Sequence, residues 1–367
     1  MIVIKQLQNW SSIRGGIHVE IGLTSFVETT RLPSGETLSH AKRLQNLMEE
    51  IRLADEVGLD VFGVGEHHRA DFACSAPAVT LAGAAMLTKN IRLSSAVSVI
   101  SSDDPVRLFQ EFATLDALSN GRAEIMAGRG SFIESFPLFG YDLNDYHALY
   151  EEKLELLLKL QQNEFVEWEG KFRPSFPKTG IYPRPVQKKL PIWIATGGTP
   201  ESSYRAGLLG LPIVFAIIGG KPSFFKQHVK LYYDAAKEAG HDLSTLQVAS
   251  HSHGFVARTD EEVVDKYYPS MEVMMNVLAK ERGWSTYNRT TFDIALSPEG
   301  ALFAGDVQSV ANKIIALRKD LGVTRFMMHL PVGSIPHEHT LEAIRLLGTE
   351  VAPIVRREVK KWEAAQG

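Results

Sequence analysis

The hydrophobic pattern of this chain is clearest between residues 91 and 131, where it outlines two strands with a helix between them. Residues 93–100 are small or apolar and are bounded by polar residues, which is typical of a strand buried on both faces. Pro105 begins a segment whose apolar residues recur at helical spacing, and a second buried strand follows at residues 122–127. This βαβ unit delivers Arg129, with a glycine on each side, to the carboxyl end of a strand, where parallel α/β folds bind their ligands.

The same alternation of buried strand and amphipathic helix recurs along the chain and predicts eight strands. They are predicted at residues 18–23, 61–65, 93–100, 122–127, 191–195, 211–218, 246–257 and 326–330. Strands that alternate with helices form parallel sheets, and eight such units close into a barrel. We therefore expect an α/β fold, a single (β/α)8 TIM barrel with insertions at residues 17–358, between a flexible lead-in at 1–16 and a solvated tail at 359–367.

Two stretches interrupt the repeat and are the predicted insertions. Residues 163–190 alternate in polarity around Glu169-Gly170, which predicts a β-hairpin, and then become rich in proline. Residues 283–305 carry no clear period and predict a long irregular connection, after which Asp306 caps a helix.

Composition narrows the classes of function. The 367 residues are 44% hydrophobic, which suffices for one large core, and a net charge of −4 with a pI near 6.3 offers no basic surface for nucleic acid. No apolar run is long enough to span a membrane, and the first residues do not resemble a secretory signal. The single Cys74 cannot form an internal disulfide, so we expect a cytoplasmic protein.

Histidines cluster at the predicted ends of two strands. Glu66-His67-His68 follows the second strand, and adjacent residues at a strand end point in different directions, so one imidazole faces the barrel axis and the other packs among loops. His251 and His253 lie on one face of the seventh strand. Together with His67 they could supply three zinc ligands, as in barrel hydrolases, although no matching Asp or Lys ligand motif accompanies them.

Three glycine-bearing turns follow strands and are candidates for phosphate binding. Residues 196–203 offer amides, hydroxyls and a helix N-terminus, with Gly197, Gly198, Thr199 and Ser202 as the contacting positions. The same residues also fit an ordinary turn, in which Thr199 is the helix cap and Pro200 the first helical residue. Arg129 could bind phosphate or form a salt bridge, and Gly219-Gly220 could add amides or merely permit a tight turn.

Several motifs occur in an order that resembles the luciferase-like flavin-dependent monooxygenases, the family of bacterial luciferase. They are Glu66-His67-His68, a serine- and alanine-rich strand, Pro105-Val106-Arg107, a helix ending Leu118-Ser119-Asn120-Gly121-Arg122, and Gly128-Arg129-Gly130. The resemblance extends from about residue 18 to about residue 355. It implies a flavin bound at the carboxyl-end mouth of the barrel.

The resemblance also implies roles for single residues near the flavin ring. His67 matches a histidine that lines the ring, where it could donate a hydrogen bond or relay protons, and a purely structural role is the alternative. Ala96, Val97 and Ser98 match a bulge beneath the ring, and the Ala96–Val97 bond corresponds to a non-proline cis peptide in the family. Gly128 stands where bacterial luciferase has a reactive cysteine, so this thiol has no counterpart here.

On the phosphate side, Arg129, Gly198, Thr199 and Ser202 match the family's phosphate contacts. The resemblance then implies a monooxygenase that uses reduced FMN and O2 on a small organic substrate. No GxGxxG fingerprint for a nicotinamide cofactor is visible, so we expect a separate flavin reductase as a partner, with direct use of NAD(P)H as the alternative. The resemblance implies that the apolar segment 77–88 forms a homodimer contact, and a tightly packed monomer is the alternative. The alternatives are hydride transfer with the deazaflavin F420 on the same fold, and the zinc hydrolase.

Overall fold

The computed structural model describes residues 19–29, 36–130 and 132–366, so the predicted lead-in at 1–16 lies outside the described residues. The described strands, in chain order, are β1 (Glu20–Ser25), β2 (Val61–Val64), β3 (Arg92–Ser95), β4 (Ser98–Val99), β5 (Ala123–Gly128), β6 (Phe165–Trp168), β7 (Phe176–Gly180), β8 (Ile192–Thr196), β9 (Ile213–Ala216), β10 (Val248–Ala257), β11 (Phe303–Asp306) and β12 (Arg325–His329).

Eight of these strands form a closed parallel barrel. Its order is β1-β2-β3-β5-β8-β9-β10-β12, and β12 returns to pair with β1 in the register Glu20↔Arg325 to Thr24↔His329. All of the pairs around the ring are parallel, so every strand delivers its carboxyl end to the same mouth. The predicted (β/α)8 barrel is confirmed.

Helices surround the barrel and connect its strands. In chain order they are α1 (His40–Glu56), α2 (Pro77–Ala85), α3 (Pro105–Leu118), α4 (Ser135–Phe139), α5 (Tyr146–Gln162), α6 (Pro200–Leu208), α7 (Lys226–Glu238), α8 (Asp260–Lys266), α9 (Tyr268–Arg282), α10 (Arg289–Leu296), α11 (Val307–Leu321), α12 (His337–Leu346) and α13 (Ala352–Ala364). Among the described residues no helix combines the length and the apolar character that crossing a bilayer requires.

The third predicted strand is interrupted. Residues 93–100 do not form one continuous strand, because the Ala96–Val97 peptide is cis and separates β3 from β4. β3 pairs with the start of β5 and β4 pairs with its end, so the interruption lies inside the barrel wall. The cis bond implied by the resemblance is therefore present at the expected position.

The two predicted insertions differ in outcome. β6 and β7 pair antiparallel, which confirms a hairpin in the first insertion. The prediction of an irregular connection at 283–305 is wrong, because this stretch contains α10 and most of β11. The Asn288 side chain caps α10 by accepting from the Thr291 amide at 3.0 Å, and Phe303 pairs beside Gly254 of the barrel strand β10. The predicted cap at Asp306 is confirmed, since its carboxylate accepts from the Ser309 amide at 2.7 Å.

The carboxyl end of the chain also departs from the prediction. Residues 359–367 were expected to be a solvated tail, but α13 continues to Ala364 and Val359 is buried. Between α12 and α13 the chain makes a π turn at Leu347–Val351. Pro353 has no amide hydrogen to donate to the carbonyl four residues earlier, which accounts for a disturbance of the helical ladder at this point.

The end of the barrel opposite the mouth is sealed by charged side chains, and we name it the closed end. Arg325 donates to both oxygens of Glu124, at 2.6 and 3.1 Å, and to Glu20 at 2.7 Å. Its guanidinium lies 4.2 Å from the centre of the Trp193 ring. Above this layer the interior is filled by Val61, Met126, Val214, Ala249 and Met327. Among the described residues, these side chains fill the closed end of the barrel.

Candidate active site

One side of the mouth is made of small residues, which we name the small-residue wall: Ala96, Gly128 and Ala195, from neighbouring strands β3, β5 and β8. Close packing requires the glycine, because a Cβ on Gly128 would lie 2.7 Å from a methyl group of Val97. Ser98, the third residue of the predicted bulge, is buried on β4. Small residues at these three positions are what close approach of a flat group to the strands would require.

The segment after the cis peptide is fixed by Glu66. One carboxylate oxygen of Glu66 accepts from the Val99 amide at 2.8 Å, and the other lies 2.9 Å from Nε2 of His68. His68 is therefore the histidine that packs among loops, while its neighbour His67 points elsewhere. This confirms that the two adjacent imidazoles diverge.

His67 stands among aromatic rings at the mouth. Its ring is stacked 4.2 Å from Phe72 and makes edge contacts with Phe26 at 4.9 Å and Phe132 at 5.3 Å. Burial lowers the pKa of His67 to about 4, and the Glu28 carboxylate offsets part of this effect. The imidazole is therefore neutral at physiological pH, with one donor and one acceptor nitrogen.

Arg129 brings together side chains from three elements. Its guanidinium lies 3.1 Å from Nδ1 of His147 on α5 and donates to Oγ of Ser202 on α6 at 3.4 Å. Thr199 donates to the same Ser202 oxygen at 2.7 Å. A cation and two hydroxyls thus converge after β5 and β8, an arrangement that suits a phosphate group.

Tyr150 adds an unpartnered hydroxyl to this region. The Oη atom is buried and has no hydrogen-bond partner among the described residues. Burial raises the pKa of Tyr150 to about 12, against the opposing effects of Arg205 and Arg129. The phenol therefore stays protonated and can donate to an anion bound beside Arg129.

The turn after β8 departs in one respect from the predicted phosphate cradle. The amides of Gly198 and Thr199 both donate to Oγ1 of Thr196, at 3.1 and 3.4 Å, so they are already bonded. Gly198 needs to be glycine, because its φ is +97° and a Cβ would lie 2.9 Å from the Phe225 ring. Gly197 is open, with no atom near the position of an added Cβ. The hydroxyls of Thr199 and Ser202 thus carry most of the donor capacity of this turn.

Gly219 and Gly220 are exposed after β9, and no hydrogen bond among the described residues joins them to Arg129 or Ser202. Gly220 has φ +69°, as a tight turn requires. The tight turn is thus observed, and a contact with phosphate stays a prediction.

The opposite side of the mouth is polar, and we name Glu28, His251, His253 and His329 the polar wall. These residues come from the turn after β1 and from β10 and β12, which are neighbours in the barrel. Nε2 of His329 lies 2.8 Å from Oε1 of Glu28, and Nδ1 lies 3.4 Å from the Thr24 hydroxyl. Burial alone would raise the pKa of Glu28, but His329 outweighs it and the pKa lies below its usual value. Glu28 is therefore a buried carboxylate anion.

His251 and His253 both face His329, with ring centres 5.3 and 5.1 Å away. This confirms that the two imidazoles share one face of the strand. Burial lowers the pKa of His253 to about 3 and that of His251 well below its usual range, so both are neutral. Among the described residues no group of three or more His, Cys, Asp or Glu side chains is arranged to hold a metal ion. The zinc site proposed for His67, His251 and His253 is not supported by this geometry.

The turn that places Glu28 is supported from outside the barrel by Arg43. This buried side chain donates to the Glu28 carbonyl at 3.1 Å and to the Ser25 hydroxyl at 3.2 Å, while its other donors bind Glu50 at 3.0 Å. Within the turn, Val27 has φ +62°, which costs a β-branched residue about 1–3 kcal/mol. Strain of this kind is typical of a turn that serves a site rather than the fold alone.

Sequence reasoning missed Glu28, His329 and Tyr150. His329 ends the last strand just as His67 follows the second, so a polar residue at a strand end was an available signal. Glu28 carried no such signal, because it follows β1 in a stretch without a clear period. Tyr150 lies on the buried face of α5, and a tyrosine at a buried helix position gives no sequence signal that its hydroxyl lacks a partner.

The fold is a closed (β/α)8 barrel with polar side chains gathered at the carboxyl ends of its strands. The chain belongs to the luciferase-like monooxygenase family, whose family model matches residues 23–325.

Among curated relatives, the chain is 28% identical to N-acetyl-S-alkylcysteine monooxygenase of Bacillus subtilis over 327 residues, which cover 84% of this chain and 92% of the relative. It is 26% identical to the alkanal monooxygenase alpha chain of Aliivibrio fischeri, over 64% of this chain and 62% of the relative. It is 33% identical to an uncharacterized protein of Sinorhizobium fredii, over 46% of this chain and 49% of the relative. The chain thus spans about half to two thirds of the length of the last two.

Solved structures with the same fold include monooxygenase RslO1 from Streptomyces bottropensis, with a TM-score of 0.80 at 24% identity, covering 91% of this chain and 99% of that one. The oxygenating constituent of 3,6-diketocamphane monooxygenase from Pseudomonas putida, in complex with FMN, has a TM-score of 0.73 at 20% identity, with coverage of 92% and 98%. An F420-dependent secondary alcohol dehydrogenase has a TM-score of 0.71 at 21% identity, with coverage of 92% and 99%. At these identities the likeness shows the fold.

Proposed function

We propose that this protein is an FMN-dependent monooxygenase that uses reduced FMN and O2 to oxygenate a small organic substrate. The observation that carries the proposal is the convergence of Arg129, Ser202 and Thr199 beside the small-residue wall. FMN carries a phosphate and a flat isoalloxazine ring. Its site therefore needs anion-binding side chains next to a wall of small residues. The names of the relatives support oxygenation as the reaction.

The residues at the mouth fit this cofactor. Arg129 would hold the phosphate together with Ser202, and the orphaned hydroxyl of Tyr150 would gain an acceptor. Gly128 and Ala96 would admit the ring beside the cis peptide. When bound, reduced FMN supplies the electrons and the site at which dioxygen is activated.

The protein's own contribution is position and the exclusion of water. His67 stays neutral and can donate one hydrogen bond toward the reacting groups, without storing a proton. Phe26, Phe72 and Phe132 surround it and exclude water from that part of the mouth. The polar wall faces the small-residue wall and would contact the substrate.

We further propose a homodimer and a separate flavin reductase as partners. Helix α2 supports the dimer, because Val79 is 70% exposed on it and Met86, at its end, is 72% exposed. The reductase is inferred from the missing nicotinamide fingerprint. The cytoplasmic location expected from the single cysteine stays a prediction.

Titration of the purified protein with oxidised FMN, reduced FMN and F420, alongside metal analysis, tests the cofactor. Tight binding of reduced FMN supports the proposal, whereas exclusive binding of F420 would assign hydride transfer instead. Tight stoichiometric zinc without flavin affinity would overturn the proposal altogether.

The substitution Arg129→Ala should weaken binding of reduced FMN by about 10- to 100-fold, because a charge-assisted contact with phosphate is lost. Fluorescence quenching or calorimetry measures this directly. Arg357→Ala is the matched control, since Arg357 is an exposed arginine that pairs with Glu358. Equal affinities of the wild type and Arg129→Ala would show that the phosphate lies elsewhere.

A further inference from the structure

The polar wall contains more hydrogen-bonding capacity than the protein uses. Oε2 of Glu28, Nε2 of His251 and Nδ1 of His253 are buried atoms without a partner among the described residues. Glu28 itself is 8% exposed and His251 9% exposed, so neither can turn to bulk water. Buried polar atoms without partners are rare in native proteins unless a ligand or water completes them.

We propose that the polar wall binds the protonated amine of an organic substrate whose body is apolar. This rests on the proposed function only in taking the bound molecule to be the substrate of the flavin reaction. It assigns a substrate class that neither the family nor the names of the relatives specify.

The unpartnered oxygen of the Glu28 carboxylate favours a cation over an anion. Glu28 carries a negative charge, and His329, its partner at 2.8 Å, occupies one of its two oxygens. His251 and His253 are neutral, so they add no charge that would attract a carboxylate. The nearest arginine, Arg43, binds the backbone carbonyl of Glu28 and not its carboxylate, and it is already paired with Glu50. A substrate carboxylate at this place would meet Glu28 and be repelled.

The number of acceptors also matches an ammonium group. A primary ammonium has three N–H donors, and a neutral imidazole has one acceptor nitrogen. With the tautomers that leave Nε2 of His251 and Nδ1 of His253 unprotonated, the polar wall offers three acceptors. A neutral hydroxyl has one O–H donor and would satisfy one of them.

An apolar body would continue from this site along Phe26. The Phe26 ring is 4.2 Å from His329, 5.6 Å from His251 and 4.9 Å from His67, so it links the polar wall to the aromatic group around His67. A molecule with its amine at Glu28 would therefore extend toward His67. That direction leads to the small-residue wall, where the flavin ring is proposed to lie.

The test compares three eight-carbon probes that differ in one end group: n-octylamine, n-octanoate and 1-octanol. Calorimetry with the full-length protein at neutral pH should give octylamine at least about tenfold tighter binding than octanoate. Octanoate binding as well as octylamine, or no octylamine binding at millimolar concentration, would overturn the inference.

The variant Glu28→Gln keeps the size of the side chain and removes its charge. It should lower octylamine affinity by about tenfold and leave 1-octanol almost unchanged. Glu358→Gln is the control, because Glu358 is an exposed carboxylate paired with Arg357 and Lys361. Preserved discrimination between amine and acid in Glu28→Gln would refute the assignment.

Should Glu28→Gln fail to fold by circular dichroism, His253→Gln provides the second test and should weaken octylamine binding by a smaller factor. The flavin titrations separate this inference from the proposed function. If the protein prefers the amine but binds neither FMN nor F420, the proposed function is refuted and this inference stands. If flavin binding depends on Arg129 but the protein does not prefer the amine, this inference is refuted and the proposed function stands.

Discussion

Two buried glutamates at opposite ends of the barrel, Glu124 at the closed end and Glu28 at the mouth, are satisfied to different degrees. At the closed end both oxygens of Glu124 accept from Arg325, and Arg92 adds a further contact. At the mouth Glu28 has His329 on one oxygen and, within the part of the chain that the structure describes, no partner on the other. Both carboxylates have lowered pKa values because interactions with their partners, His329 for Glu28 and Arg325 for Glu124, outweigh burial. The two glutamates differ in the hydrogen-bonding capacity that remains, because Oε2 of Glu28 can still accept a hydrogen bond.

A fully matched buried ion pair and a half-matched one have different consequences for the fold. Removing one partner of a matched pair leaves a charge with no compensation, which is strongly destabilising. A half-matched carboxylate already tolerates an open oxygen, so its environment is adapted to water or to a ligand. We therefore assign the closed end to stability and the mouth to binding.

The largest expected effect is that of Arg325→Met, which should cost about 3 kcal/mol of the free energy of unfolding, because Glu124 loses the partner of both its oxygens and keeps only the contact with Arg92. Urea denaturation measures it. Arg345→Met is the control, because Arg345 forms an exposed pair with Glu342 and should cost less than about 1 kcal/mol. A loss no larger than that of the control would remove the distinction between the two ends.

Lowering the pH separates the two ends in a second way. The pKa of His253 falls from 6.5 to about 3 on folding, so the unfolded chain binds protons first and stability falls as the pH drops below about 6.5. Folding lowers the pKa of Glu124. Its contribution to the free energy of unfolding is therefore present above the unfolded-state pKa near 4.5 and is lost only at lower pH.

The consequence is measurable as the free energy of unfolding between pH 7 and about pH 5. Between pH 6.5 and about 5 the wild type should lose about 2 kcal/mol of stability through His253, since one pKa unit corresponds to about 1.4 kcal/mol. The substitution His253→Gln should abolish this part of the pH-dependent loss. Equal slopes for wild type and variant would mean that His253 is not buried as a neutral imidazole.

The smallest expected effect is that of His329→Gln, because the amide can still donate to Glu28. We expect a loss of about 1 kcal/mol in urea denaturation, the usual scale of one hydrogen bond. A loss as large as that of Arg325→Met would make the mouth as structural as the closed end.

Much of the architecture follows from the sequence because barrel strands have a local signature. Each buried run, such as residues 61–65, is short, apolar and followed by a helix, and these signals do not depend on distant residues. The Arg129 and Ser202 positions were predictable for a related reason, since each lies directly after a strand that the pattern identifies. α10 was missed because it is short and its cap, Asn288, stands in a stretch without hydrophobic period.

The polar wall could not be derived in this way. Glu28 and His329 are 301 residues apart, and they meet only because the last strand closes on the first. No local pattern encodes that contact. Similarly, whether the Tyr150 hydroxyl has a partner depends on side chains that are distant in sequence. The local sequence around Tyr150 does not show them.

The two walls of the mouth also differ in their origin along the chain. The small-residue wall and Ser202 come from consecutive βα units between Arg92 and Leu208, whereas the polar wall needs both the first and the last strand. During synthesis the small-residue wall can therefore assemble from neighbouring segments, while the polar wall is completed when β12 docks. Changes in the terminal segments can then alter the polar wall and leave the small-residue wall as it is.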